Sequence, residues 1–292
     1  WQVRLMVDLP GPVAIVAHDA GAANVILGWL QPEEVMNCRA AMAGPAAELW
    51  HGRFPDVPLM GLDDALHGAA TLLSGTGWAS DLEHDARGVA RMRGIRSVAV
   101  IDHWTNYRER FGRGGRETLP DEIWVTDRYA IAEARRVIPE VPVREQPNLY
   151  LMQQARDAGP RPACGDLLFV SEPARSNWGK DVPGEFQAPD YLYRHRPAAG
   201  IDPKAALRIR PHPSDSPGKY DAWISAHPGA CLDSARDMAE ALASASWVAG
   251  LQSFALVIAM EAGRPAICAL PPGAPNCKLP HEGLIHLRQC AP

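Results

Sequence analysis

The sequence lacks the features that mark membrane-spanning and nucleic-acid-binding proteins. Its apolar runs are far shorter than the roughly 18 residues that a membrane span requires. The net charge is −5 and no long basic block is present, so the electrostatic footprint of a nucleic-acid-binding protein is missing. The beginning of the chain does not show the charged, apolar and small-residue pattern of a signal peptide. We therefore expect no nucleic-acid partner, no membrane span and a cytoplasmic location.

Metal-binding and redox spacings are also missing from the cysteines. None of the six forms a Cys-x-x-Cys pair or stands near a histidine at zinc spacing. Several lie in apolar, strand-like segments, where a buried free thiol is the simplest interpretation. Asp63-Asp64 lies in a helix-like context and is a poor metal candidate. The sequence thus predicts reduced thiols, no metal site and no cofactor.

The sequence does contain a regular alternation of short apolar runs and amphipathic stretches. Strands that alternate with helices indicate βαβ units, and nearly continuous apolar strands indicate a parallel sheet covered on both faces. The predicted strands are 13–17, 70–73, 97–101, 122–126, 167–171, 207–210, 247–250 and 266–270. The predicted helices are 80–93, 128–137, 220–226, 238–245 and 254–262.

Proline and glycine interrupt this alternation near the middle of the chain. Segment 147–165 is rich in both residues, which is typical of a connection between domains. We predict two α/β domains of similar size, residues 1–150 and 151–292. The proline-rich segments 181–203 and 271–280 are predicted to be loops.

In the second half, candidate ligand-binding residues follow three predicted strands. Gln252 and Ser253 begin a helix, where backbone N–H groups and the helix dipole favour an anion, although Ser253 could simply cap the helix. Arg210 ends another strand and His212 follows it, either facing a ligand or standing solvated in a loop stiffened by prolines. Ser171 ends the third strand, in the segment Leu-Leu-Phe-Val-Ser-Glu-Pro-Ala-Arg that brings a basic residue into the next loop.

The order of these segments resembles the donor-binding half of GT-B glycosyltransferases and of the related UDP-N-acetylglucosamine 2-epimerases. Ser253 at the helix start, followed by Ala262-Gly263-Arg264-Pro265, is similar to the element that holds the donor diphosphate. The ribose-binding glutamate of many members corresponds to Ile258, and the nearby Glu261 is out of register by almost one helical turn. The chain is therefore closer to branches that use Ser or Thr at this turn.

The resemblance implies two Rossmann-like domains that face a central crevice, with the acceptor on the N-terminal side and the donor on the C-terminal side. It also implies a basic residue on the diphosphate, a task that suits arginine because it is always charged and binds bidentately. The candidate donor-binding residues are Ser171, Arg175, Arg210, His212, Gln252, Ser253 and Glu261.

Candidate acid–base residues follow predicted strands of the first half. His18-Asp19 and Asp102-His103 each stand at the carboxyl end of a strand, and such ends meet at one edge of a parallel sheet. Sugar transfer with inversion needs a base to take the proton of the acceptor, and either pair could supply it. Asp19 could instead cap a helix, and Asp102 could form an Asx-turn.

These observations give one leading function and two alternatives. The resemblance implies a metal-independent glycosyltransferase that moves a sugar from a nucleotide-sugar donor to an unidentified acceptor, as in surface polysaccharide or glycoconjugate assembly. A nucleotide-sugar epimerase or hydrolase keeps the same fold, but Asp102-His103-Trp104 stands where the epimerases carry His-x-Glu. A two-lobed binding protein without catalysis is the third interpretation.

Overall fold

The chain divides into two α/β units in the computed structural model, which describes residues 9–174 and 176–291. The first unit is Trp1–Tyr150 and the second is Leu151–Pro292. Each unit is built on one six-stranded sheet in which every neighbouring pair of strands is parallel. The predicted class of two Rossmann-like domains is confirmed. Within the described ranges, no helix has the length and apolar character needed to cross a membrane.

The first unit alternates strands and helices along the chain. Its sheet has the order β2-β1-β3-β4-β7-β8, the doubly wound order of flavodoxin-like folds. Its elements are β1 (Val13–Ala17), α1 (Ala20–Trp29), α2 (Pro32–Val35), β2 (Cys38–Met42), α3 (Gly44–Arg53), α4 (Leu62–Leu66), β3 (Thr71–Ser74), α5 (Leu82–Arg93), β4 (Arg96–Val100), the hairpin β5 (Gly112–Arg113) and β6 (Arg116–Glu117), β7 (Glu122–Val125), α6 (Arg128–Val137) and β8 (Val143–Glu145).

Strand β1 shows why this sheet is apolar on both faces. Ile15 and Ala17 pack into one buried cluster, whereas Ala14 and Val16 pack into another. Because successive side chains of a strand point to opposite faces, the two clusters lie on the two sides of the sheet. Helices therefore cover both faces, as expected for parallel strands.

The second unit repeats this plan with a different strand order. Helix α7 (Leu149–Asp157) leads into it from the first unit. Its sheet has the order β11-β10-β9-β12-β13-β14, which is the Rossmann order. Its elements are β9 (Asp166–Val170), α8 (Gly184–His195), β10 (Leu207–Arg210), α9 (Asp221–Ser225), β11 (Ala230–Leu232), α10 (Met238–Ala243), β12 (Ala245–Gly250), α11 (Phe254–Glu261), β13 (Ala266–Cys268), β14 (Ile285–His286) and α12 (Leu287–Cys290).

Two proline-rich segments differ from their sequence prediction. Segment 181–203, predicted as a loop, contains the 12-residue helix α8 with Pro189 inside it. Pro189 and its neighbours Ala188 and Leu192 are buried, so apolar packing outweighs the hydrogen bond that the proline removes. The predicted domain connection at 147–165 also contains a helix, α7.

Arg264 is a buried side chain that holds the segment between α7 and β9 in place. It is only 2% exposed, and its guanidinium lies where α7 and α10 end. A cation is favourable there because the carbonyl groups of a helix C-terminus have no partner within the helix. It donates hydrogen bonds to the backbone oxygens of Ala158 (3.1 Å), Gly159 (2.7 Å), Pro160 (3.2 Å), Leu242 (3.2 Å) and Ala262 (2.5 Å).

Replacing this guanidinium should weaken the second unit. Arg264→Lys should lower the free energy of unfolding by roughly 2–4 kcal/mol, because an ammonium group cannot reach all of these carbonyl groups. Chemical denaturation followed by circular dichroism measures the change. Arg236→Lys, at a side chain that is 86% exposed, is the matched control and should shift stability by no more than about 0.5 kcal/mol. Equal effects of the two substitutions would contradict this role of Arg264.

Candidate functional site

In the first unit, the strand order reverses between β1 and β3. The loops that leave these two strands diverge, and doubly wound proteins bind ligands at such a switch point. His18 and Asp19 follow β1, Gly75–Gly77 follow β3, and Asp102 follows the adjacent β4. The structure therefore places both predicted acid–base pairs at the same edge of the same sheet.

His18 and Asp19 form a hydrogen-bonded pair. The imidazole Nδ1 lies 2.7 Å from Asp19 Oδ1, and Asp19 Oδ2 accepts a hydrogen bond from the backbone N–H of Trp78 at 3.0 Å. Asp19 occupies the N-cap position of α1, but within the described structure its carboxylate makes no capping hydrogen bond. The helix-cap interpretation of this side chain is therefore wrong, because the carboxylate orients the imidazole instead.

The second ring nitrogen of His18 lies against Gly44, the first residue of α3. A Cβ atom added there would stand 2.7 Å from Nε2, and Gly44 has a φ of +53°, which side chains rarely adopt. The glycine is thus required by both space and backbone conformation. The His18 side chain remains 19% exposed, so the ring is held without being sealed from solvent.

Glu83 joins two of the loops at this edge through hydrogen bonds. It is 1% exposed, and its carboxylate accepts hydrogen bonds from the backbone N–H groups of His18 (3.0 Å) and Gly77 (2.8 Å). Burial raises the pKa of Glu83, although these two N–H groups act in the opposite direction. Arg87, four residues later, donates to the Gly75 oxygen at 2.9 Å, and burial lowers its pKa to about 10.

Sequence reasoning did not identify Glu83 or Arg87 as part of this edge. The spacing of the two residues could have indicated their role, because residues four apart in α5 share a helix face. Ala86 and Ala90 lie buried on that face. Charged residues on an otherwise apolar helix face need partners inside the protein. Here those partners are the backbone groups of the loops after β1 and β3.

Asp102 lies against the first turn of α1. A Cβ atom on Gly21 would stand 1.8 Å from Asp102 Oδ2, so this helix position must be glycine for the carboxylate to lie there. Asp102 Oδ1 lies 3.4 Å from Nη1 of Arg110, which also donates to the Thr76 oxygen at 3.2 Å. A negative charge beside a helix N-terminus is favourable. His103, the next residue, has Nδ1 3.1 Å from Thr105 Oγ1.

In the second unit, four of the predicted donor-binding residues line one cavity of about 560 Å³. Ser171 follows β9, Arg210 and His212 lie at the end of β10, and Ser253 precedes α11. Strands β9 and β12 flank the switch point of this sheet, so the cavity lies at its carboxyl edge.

Two other predicted donor-binding residues, Gln252 and Glu261, do not line this cavity. Arg175 falls outside the described residues. Gln252 instead joins the turn after β12 to the loop between β13 and β14, because its Oε1 accepts a hydrogen bond from the Lys278 N–H at 3.1 Å. Glu261 is the exposed last residue of α11, about 12 Å along the helix axis from Ser253.

Ser253 presents a hydroxyl group that the protein itself does not use. It occupies the N-cap position of α11, yet its side chain makes no capping hydrogen bond to the described chain. Its Oγ is buried and has no hydrogen-bond partner among the described residues. Since buried hydroxyl groups are normally paired, this oxygen is available to a ligand. The interpretation of Ser253 as a helix cap alone is wrong.

His212 is held so that one ring nitrogen remains for a ligand. Its backbone N–H donates to Asp215 Oδ2 at 2.8 Å, and its Nδ1 lies 2.7 Å from Ser214 Oγ and 3.2 Å from the Ser214 backbone N. In the tautomer where Nδ1 accepts from this N–H, the proton of the neutral ring is on Nε2. Nε2 is then a hydrogen-bond donor, as a phosphate oxygen would require.

Two carboxylates that the sequence did not single out complete this edge. Asp233 is 8% exposed and binds both Arg210, whose Nη1 lies 2.5 Å from Oδ2, and Arg208, which Asp166 also binds. These two arginines and two carboxylates together carry no net charge. Glu172 Oε1 accepts a hydrogen bond from the Gln252 N–H at 3.2 Å. Burial raises the pKa of Glu172 to about 7, so near neutral pH a large share of this carboxyl group is uncharged.

Comparison with known proteins identifies the fold. No family model matches the chain, and no curated protein matches it. The Methanocaldococcus jannaschii UDP-GlcNAc 2-epimerase in complex with UDP-GlcNAc and UDP is similar with a TM-score of 0.64 and 11% identity, over 95% of this chain and 91% of that one. Another structure of the epimerase from that organism gives a TM-score of 0.60 and 10% identity, over 88% and 83%.

A third similar structure is the S. aureus MnaA–UDP co-structure, with a TM-score of 0.54 and 11% identity over 88% of this chain and 78% of that one. At such low identities, the similarity concerns the fold alone. The fold is the GT-B type shared with UDP-GlcNAc 2-epimerases, as the order of the sequence segments indicated.

The contact between Gly21 and Asp102 can be tested directly. Gly21→Ala should displace the Asp102 carboxylate and lower the free energy of unfolding by roughly 1–3 kcal/mol. Gly88→Ala in α5 is the control, since its Cβ would meet nothing within 4 Å, and it should raise stability by about 0.5–1 kcal/mol. Thermal and chemical unfolding measure both. A Gly21→Ala variant as stable as Gly88→Ala would refute the contact.

Proposed function

We propose that the protein is an enzyme that acts on a nucleotide sugar, and specifically a glycosyltransferase. The observation that carries the proposal is the cavity of the second unit, where the unpaired Ser253 hydroxyl, His212 and the N-terminus of α11 lie together. All three are donors suited to phosphate oxygens. A similar fold has been solved with UDP-GlcNAc and UDP bound, which agrees with a nucleotide-sugar ligand.

In this proposal the second unit stabilises the departing nucleotide. Negative charge grows on the phosphate as the glycosidic bond breaks, and fixed donors lower the energy of that transition state. Ser253 Oγ–H, His212 Nε2–H and the first N–H groups of α11 are such donors. Arg210 contributes little net charge because it belongs to a neutral group with Arg208, Asp166 and Asp233, so Arg175 remains the candidate for an additional cation.

The first unit supplies the base in the same proposal. His18 Nε2 accepts the proton of the acceptor hydroxyl, while Asp19 holds Nδ1–H and stabilises the imidazolium that forms. Asp19 is then a positioning residue. Asp102 and His103 form the second candidate pair, and Asp102 would act as a carboxylate base.

A nucleotide-sugar epimerase or hydrolase is the second candidate, because the epimerases named above share the fold. The two reactions differ in their need for an acceptor. Formation of an epimer or of free sugar from the nucleotide sugar alone would favour the second candidate. A ligand that binds and is never converted would instead indicate a binding protein.

The donor site predicts a specific loss of nucleotide affinity. In a thermal-shift panel of UDP, GDP, CDP and CMP, at least one nucleotide should stabilise the wild-type protein. Ser253→Ala and His212→Ala should each weaken that binding by about tenfold, because each removes a hydrogen bond to a charged group. Ser225→Ala, whose hydroxyl binds the Asp221 oxygen of its own helix, is the control. Unchanged affinity in both site variants would refute the donor site.

The base is tested by Asp19→Asn. The amide oxygen can still accept from the Trp78 N–H, but an amide does not stabilise an imidazolium, so turnover should fall roughly 10²–10⁴-fold. Nucleotide affinity should stay at the wild-type value, since the donor cavity lies in the other unit. Full turnover in Asp19→Asn would show that the Asp19 carboxylate is not needed for the proton transfer, and Asp102→Asn tests the second candidate pair.

A further inference from the structure

Two cysteines and a histidine meet at the outer edge of the second sheet. Cys268 ends β13, and His286 stands directly opposite it in the parallel ladder with β14. The loop between these strands brings Cys277 back to the same place. The two Sγ atoms and a ring nitrogen of His286 all lie within 4.8 Å of one another. The eight-residue gaps that separate these residues in sequence match no common metal-binding spacing, which is why the sequence did not predict the cluster.

This set of donors is the one that zinc prefers. Thiolate sulfur and imidazole nitrogen are soft to intermediate ligands, which select Zn²⁺ over Mg²⁺ and Ca²⁺. Two sulfurs and one nitrogen around a tetrahedral ion leave a fourth position for water or another oxygen ligand. We propose that Cys268, Cys277 and His286 bind one Zn²⁺ ion in the second unit.

The three donors are also sheltered from solvent. Cys268 is only 2% exposed, and Cys277 and His286 are half-buried. Limited access of water to such a site protects a metal–sulfur bond.

The position of the cluster indicates what the ion would do. Cys277 Sγ lies 4.0 Å from the Leu251 oxygen, and the next residue, Lys278, donates its N–H to the side chain of Gln252. Leu251 and Gln252 form the turn that leads to Ser253. Zinc would therefore fasten the long β13–β14 loop to the sheet and to the turn beside the nucleotide cavity, without itself lining that cavity.

The experiment is zinc titration of the 292-residue chain after removal of metal by a chelator, in the presence of a thiol reductant. One Zn²⁺ should bind per chain and raise the melting temperature. Co²⁺ in its place should give the intense charge-transfer absorption of thiolate ligands. Cys277→Ser and His286→Gln should each weaken zinc binding by more than about tenfold, whereas Cys231→Ser, at an exposed cysteine, should bind as the wild type does.

Two results would overturn the proposal. The first is a titration in which no stoichiometric zinc binds to the folded, reduced wild-type protein. The second is unchanged zinc affinity in both Cys277→Ser and His286→Gln. Nucleotide binding is measured separately, so each of these outcomes leaves the proposed function untouched.

Discussion

Buried arginines that bind backbone carbonyl groups hold irregular segments of both units, including the loops of the candidate site in the first unit. Arg87 and Arg110 donate to the oxygens of Gly75 and Thr76 in the first unit, and Arg264 serves the end of α7 in the second. A loop inside a protein leaves carbonyl groups without strand or helix partners, and each unpaired group is costly. One planar guanidinium satisfies several of them, so irregular backbone can stay ordered at the edge of a regular sheet.

In both units the candidate site lies at the carboxyl ends of the parallel strands, although the two sheets have different strand orders. The reversal falls between β1 and β3 in one sheet and between β9 and β12 in the other. In each case a backbone N–H of one loop donates to a carboxylate from another part of the edge, Glu83 in the first unit and Glu172 in the second. The topology decides where the loops diverge, and in each unit a buried carboxylate accepts hydrogen bonds from the backbone at that point.

The central strands were predictable from the sequence because each is a nearly continuous apolar run. Edge strands such as β8 (Val143–Glu145) were not, since they are short and half polar. The positions of His18, Asp102, His212 and Ser253 at strand ends followed from the alternation of elements, but their partners did not. Glu83 lies 65 residues from His18 in sequence, and no local pattern reports so distant a hydrogen bond.

The two hydrogen bonds that Glu83 accepts affect the free energy of ligand binding at this edge. Because its carboxylate joins the loops after β1 and β3, these loops are ordered before any ligand arrives. A ligand that binds there loses little affinity to ordering of the chain, and its binding free energy goes into contacts. In the proposed reaction with His18 as the base, the same rigidity would keep the surrounding dipoles oriented while charge moves onto the imidazole, and the reorganisation energy of the proton transfer would be small.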